Sequence, residues 1–218
     1  MSILLSMIRN IFISTIILIL LNSCVPAPQP GDYALVGSDV KKIAIMPFSL
    51  DKNKEDLEVP EGFLSRFNYK LHENLSSGLK NTEIVDLNKS YDILRKYESY
   101  DNNFAKFSEE AEQAGADLIL TGFISNYSQR VGSDLGVESP ASISFLTRLY
   151  DSQTGEILWQ YFYTEEQSPL FENIAEVGKF FKRKGKWVTT WELSEEGINV
   201  VVKRLQNLLE YNANNTSN

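Results

Sequence analysis

One cysteine, Cys24, and one histidine, His72, stand among 218 residues. These two residues already bound the chemistry. A zinc site takes three or four N, S or O ligands, and one Cys with one His falls short of the conventional sets. No metal is expected. Ser-His-Asp catalysis needs a histidine held between a nucleophile and an acid. His72 instead sits in the middle of a helical pattern beside Leu71, and the expectation is a side chain at that helix's edge. The adjacent carboxylates Glu109-Glu110 and Glu165-Glu166 are also poor catalysts. Glycosidase acids face each other across a cleft, whereas neighbours on a strand point to opposite faces and neighbours on a helix diverge. Gly132 and Gly136 lack the Lys-Ser/Thr and helix that complete a phosphate loop. No catalytic device is expected.

Cys24 needs another explanation. It follows Ile11 to Leu21, IFISTIILILL, a run without charge, and Arg9 is the only charged residue before Asp32. A bilayer-spanning helix needs about 20 apolar residues. The shorter run behind a basic residue fits the hydrophobic region of an export signal. An uncleaved membrane anchor is the alternative, because Ile3 to Ile8 is also rather apolar. Leu21-Asn22-Ser23-Cys24 resembles the lipobox of bacterial lipoproteins, with Asn22 where Ala or Ser is more usual. That resemblance implies cleavage before Cys24, a diacylglycerol thioether on its sulfur and an acyl chain on its new amine. Each buried CH₂ contributes about 0.8 kcal/mol, so several chains anchor a protein durably. No other cofactor is expected. Asp directly after the cysteine retains many such lipoproteins at the inner membrane. Val25 stands there, and the resemblance implies the outer membrane of a Gram-negative bacterium, periplasmic face.

Four segments follow from this reading: a signal peptide over 1–23, a lipidated tether over 24–38, a folded domain over 39–211 and a polar, disordered tail over 212–218. The tether holds three of the seven prolines. Such a spacer extends about 3 Å per residue.

Within the domain, Lys41 to Phe48 predicts a first strand that ends at Pro47. Pro60 is placed at a helix start. Leu64, Phe67, Leu71 and Leu75 give that helix its apolar stripe, and Gly78 closes it. Thr82 to Asp86 is a short strand. Two helices follow, Ser90 to Tyr97 and one carrying Phe104, Phe107, Ala111 and Ala114 up to Gly115. Asp117 to Tyr127 is a strand, and so far the alternation predicts parallel pairing. The pattern then changes to period two. Ile143, Phe145, Thr147 and Leu149 lead through a turn at Asp151 to Gly155 into Ile157, Trp159, Tyr161 and Tyr163, a β-hairpin. Thr189-Thr190-Trp191-Glu192 fits a capping box, ahead of a stripe through Ile198, Val201, Val202, Leu205, Leu208 and Leu209. The expected fold class is α/β, one domain, a mixed sheet with a C-terminal antiparallel meander covered by helices.

Charge narrows the partners. Lys and Arg number 21 against 29 Asp and Glu, a net −8. Nonspecific nucleic-acid binding draws on basic surface, so no nucleic acid is expected. One segment runs against the trend: Lys179, Lys182, Arg183, Lys184 and Lys186, with Phe180, Phe181, Trp187, Val188 and Trp191 around them. Basic clusters beside aromatics make contact surfaces. This is a candidate docking patch, with a solvated loop whose aromatics turn inward as the alternative.

Two phrases carry a wider resemblance. Gly115-Ala116-Asp117-Leu118-Ile119-Leu120-Thr121-Gly122 and Asp151-Ser152-Gln153-Thr154-Gly155-Glu156-Ile157-Leu158-Trp159 resemble bacterial envelope lipoproteins with a TolB-N-terminal-like domain. The group includes the curli-secretion channel lipoprotein, the Pel polysaccharide-export lipoprotein and a lipoprotein activator of penicillin-binding proteins. The resemblance covers about residues 40–210 and implies a non-catalytic scaffold or accessory of an envelope assembly, in secretion or polysaccharide export. Its partners would be the membrane, an envelope protein and copies of itself. A regulator of a peptidoglycan synthase and, from another class, a small envelope hydrolase are the alternatives. Fold alone does not select among them.

Overall fold

A computed structural model describes residues 40–95, 103–133, 136–167 and 188–216. Its centre is β1 (Lys42–Ile45). Ile43 and Ile45 belong to one core, and Ala44 and Met46 to another across the sheet. A strand buried on both faces reads as a continuous apolar run, which is how KIAIMPF reads. The strand's start is tied down by Asp117, whose carboxylate accepts the backbone N–H of Lys41 at 2.8 Å and of Lys42 at 2.9 Å.

The remaining strands are β2 (Ser49–Leu50), β3 (Glu83–Ile84), β4 (Leu118–Ser128), β5 (Val131–Ser133), β6 (Gly136–Ser139), β7 (Ser142–Asp151) and β8 (Ile157–Glu166). Among the described residues the main sheet runs β3-β1-β4-β7-β8, with β2 also on β4. β1 pairs with β3 and β4 in parallel, and β2 with β4 in parallel. β4, β7 and β8 form the antiparallel meander. The expected mixed sheet is the one observed. β2 was not expected. It exists because Pro47 interrupts β1 and Asn68 takes over the backbone there. The buried Asn68 amide accepts from Phe48 N–H at 2.7 Å and donates to its carbonyl at 3.3 Å, which lets pairing resume at Ser49.

Helix α1 (Phe63–Gly78) and helix α4 (Thr190–Thr216) cover one face. Phe67, Leu71 and Leu75 meet Ile198, Val201 and Leu205 there, over Phe145, Leu149 and Trp159. Helix α2 (Leu87–Arg95) and helix α3 (Asn103–Gln113) follow β3. Phe107 and Ala111 of α3 pack with Ala44, Met46 and Ile119 on the opposite face.

Four local expectations change. Helix α1 starts at Phe63, after Pro60, because Gly62 first turns the chain through φ 76°; the Pro60 carbonyl still accepts Phe63 N–H at 3.0 Å. Gly78 is not a left-handed terminator. A Cβ there would stand 2.6 Å from Val202, so its role is to let α1 and α4 approach. The loop expected from Gln129 to Pro140 contains the β5–β6 pair, which Val131 and Val137 favour through their β-branched side chains. Helix α4 also runs on to Thr216, through positions assigned to a polar tail. Its ladder continues there, and Asn212 adds a side-chain bond to the Leu208 carbonyl at 2.7 Å.

The phrases that carried the resemblance have structural roles. Gly115 turns at φ 75° and Gly155 at φ 70°. Asp151 accepts from Gln153 N–H, Thr154 N–H and the Thr154 hydroxyl, closing the β7–β8 turn. Trp159 is buried.

Candidate functional site

The lipobox Leu21, Asn22, Ser23 and Cys24 lies outside the described residues, as does the tether. So does the docking patch Lys179, Lys182, Arg183, Lys184, Lys186 and Trp187. The candidates that can be placed are structural. His72 Nε2 lies 3.1 Å from the Val85 carbonyl, tying α1 to the segment after β3. Glu165 and Glu166 sit opposite Ile143 and Ser142 on β8, where successive side chains take opposite faces. Among the described residues no three His, Cys, Asp or Glu gather as metal ligands, and no helix is long and apolar enough to cross a membrane.

What the fold does assemble is a cavity of about 450 Å³ where the first turns of α1 and α4 meet the end of β4. Each wall has a local cause. At α4 the capping box is closed in both directions. The Glu192 carboxylate accepts from Thr189 N–H at 2.7 Å and from its hydroxyl at 2.9 Å, while the Thr189 hydroxyl accepts Glu192 N–H at 3.2 Å. The Thr190 hydroxyl donates to the Ser128 carbonyl, which fixes α4 to β4. Trp191 is thereby set on the first turn of α4. Phe63, first residue of α1, meets Tyr127 edge-on at 4.8 Å and Trp191 edge-on at 6.1 Å. Edge-to-face pairs of this kind contribute about 0.5–1.5 kcal/mol beyond area burial.

Arg66, one turn further along α1, lays its guanidinium 3.7 Å over the Trp191 ring. It is solvent-exposed, and among the described residues its guanidinium has no ion pair or hydrogen bond. Glu61 lines the same cavity without pairing to it. Arg130 adds a second cation to the lining, and Gln129 reaches in from the same side, its amide donating to the Tyr127 hydroxyl at 3.0 Å. A protein of net −8 thus places two arginines and three aromatic rings at one opening. Among the described residues, two ionisable groups shifted from their ordinary range lie elsewhere. Burial pushes the Tyr91 phenol up against a lowering bond from Asn68. A hydrogen bond to Glu73 raises the Lys70 ammonium.

The arrangement offers donors, positive charge and rigid apolar walls. Sequence reasoning placed Trp191 near the basic run and missed Arg66, Tyr127 and Arg130. An arginine beside Phe63 and Phe67 in an amphipathic helix looks like ordinary surface; only the fold sets it on Trp191.

No family model matches the chain, and no curated protein matches it. Solved structures do. A PelC dodecamer from Paraburkholderia phytofirmans is 14% identical over 82% of this chain and 92% of that chain, with a TM-score of 0.47. Lipoprotein GNA1162 from Neisseria meningitidis is 14% identical over 66% of this chain and 94% of that chain, TM-score 0.41. The LpoB C-terminal domain from Escherichia coli is 15% identical over 61% and 90%, TM-score 0.41. Two of the three relatives expected from the phrases at Gly115–Gly122 and Asp151–Trp159, the Pel lipoprotein and the activator lipoprotein, are thus among the structures this chain is similar to. At such identities the likeness concerns the fold alone.

Proposed function

We propose that this chain is a non-catalytic accessory protein of a Gram-negative cell envelope, held at the outer membrane by acyl chains on Cys24. It works by protein–protein binding, as a scaffold component of a secretion or polysaccharide-export assembly. The observation that carries the binding reading is the exposed Arg66 guanidinium, set over the Trp191 ring and without an ion pair or hydrogen bond among the described residues. Arginine and tryptophan are the side chains most enriched where interfaces concentrate their energy. The lone cysteine directly behind an apolar run supports the anchor. The basic segment 179–187, which precedes Val188 in the chain, is a second candidate contact segment in this reading.

The test is photo-crosslinking in cells from a crosslinker at Gln129, which lines the cavity and is exposed. A discrete protein adduct, absent when the crosslinker stands at the exposed Tyr69, is the expected result. No adduct at either position overturns the reading. Self-association belongs to the same proposal. The mass of the detergent-extracted lipidated protein, measured by light scattering beside that of a soluble version beginning at Gly31, separates a ring component from a monomeric adaptor.

A further inference from the structure

The cavity selects its occupant by chemistry, and we propose that this occupant is an acidic side chain, Asp or Glu, on an otherwise apolar segment of the partner protein. The inference rests on the protein-binding reading above and goes further by naming what is bound. Its ground is the state of Arg66. The guanidinium carbon lies 3.7 Å from the centre of the Trp191 ring, and among the described residues no carboxylate pairs with it. A planar guanidinium with a free edge matches a carboxylate through two parallel hydrogen bonds. Pre-stacking removes part of the ordering cost that a free arginine would meet on binding. Arg130 places a second positive charge on the same lining.

Acidic sugars carry the same carboxylate, and the walls argue against them. A sugar ring packs on an open aromatic face. Here the Trp191 face is covered by Arg66, and Phe63 is buried edge-on between Tyr127 and Trp191. What remains is apolar edge beside the two arginines, with Glu61, Gln129, Thr189 and Thr190 also on the lining; the arginines complement a carboxylate and the ring edges its aliphatic flanks.

The test uses the full chain in detergent on an array of short peptides, each carrying a central Glu flanked by apolar residues, beside its Gln twin. Oligogalacturonate is spotted on the same array. Charge-assisted bonds are worth about 1.5–3 kcal/mol, so a Glu peptide should bind about ten- to a hundredfold better than its twin. Arg66→Gln should erase that preference. Arg66→Lys, which keeps the charge without the fork, should retain only part of it. Equal binding of Glu and Gln peptides, a preference that survives Arg66→Gln, or Arg66-dependent retention of oligogalacturonate without any peptide would each overturn the proposal. The crosslinking experiment keeps the two levels apart. A protein adduct from Gln129 whose yield ignores Arg66→Gln sinks the carboxylate alone; absence of any adduct sinks the binding reading beneath it.

Discussion

The Arg66 guanidinium rests 3.7 Å over the Trp191 ring, and so links the first turn of α1 to the first turn of α4. The two helices come together because Gly78 gives way to Val202 further along their contact. Trp191 keeps its place through the capping box behind it and its edge contact with Phe63. The contact therefore follows from packing that the core enforces, and the exposed cation is held by a half-buried ring that packs against that core.

That division of labour predicts a difference between the partners. An exposed cation–π contact is worth about 0.5–1 kcal/mol, so Arg66→Ala should shift urea unfolding by no more than that. Trp191→Ala also removes packing against Phe63 and should cost more. Equal and large losses for both would mean that Arg66 is structural and its availability for a partner illusory.

Asn68 is the polar hinge of the fold. It satisfies both backbone groups of buried Phe48 where β1 gives over to β2. Asn68→Leu should destabilise by about 1–3 kcal/mol, the cost of leaving such groups unpaired. Amide exchange at Phe48 should quicken with it. Unchanged exchange would show that the bond does not protect that amide.

Gly122 and Gly115 lie in the same phrase for different reasons. A Cβ at Gly122 would fall 2.0 Å from the Leu146 carbonyl oxygen and 2.5 Å from Phe48, whereas Gly115 has open space and a φ of 75°. Gly115→Ala should cost about 1–2 kcal/mol through backbone strain alone, and Gly115→Asn less, since Asn visits that region readily. Gly122→Ala should cost at least as much as ordinary overpacking, about 1–3 kcal/mol, with no rescue by Asn. Denaturant melts of the four variants, Ala and Asn at each position, decide it.

Thr189 and Glu192 cap α4 reciprocally. Each alanine substitution should cost about 1 kcal/mol. The double variant should cost clearly less than the sum, because either change alone breaks the shared bonds. Strict additivity in the cycle would contradict reciprocity.

Much of the fold was legible where one rule acts locally. The alternation through Phe145, Leu149, Trp159 and Tyr163 marks a strand pair with one buried face, and that is how these residues lie. Ile157 shares their parity yet stands exposed, beside the register shift opposite Tyr150. The capping box at Thr189 was legible because its partners are three residues apart. β2 was not, since two residues make no pattern and Ser49 and Leu50 become a strand only through β4 and Asn68. The length of α4 was hidden by the polar composition of 212–216, where the helix persists on its own ladder. The cavity was least legible of all. Phe63, Arg66, Tyr127 and Trp191 come from three elements far apart in the chain, and no spacing rule connects them. The positions that sequence did single out, Cys24 and the basic run from Lys179, fall outside the described residues and stand as proposals.

The central claim is a binding domain hung from a lipidated Cys24, and mass spectrometry of the N-terminal peptide from the membrane fraction tests it most directly. The account predicts that the chain begins at Cys24, that the peptide carries the mass of a thioether-linked diacylglycerol with a further acyl chain, and that Cys24→Ala leaves an unprocessed, unacylated protein. A membrane-bound chain that still begins at Met1 with Cys24 as a free thiol would contradict it.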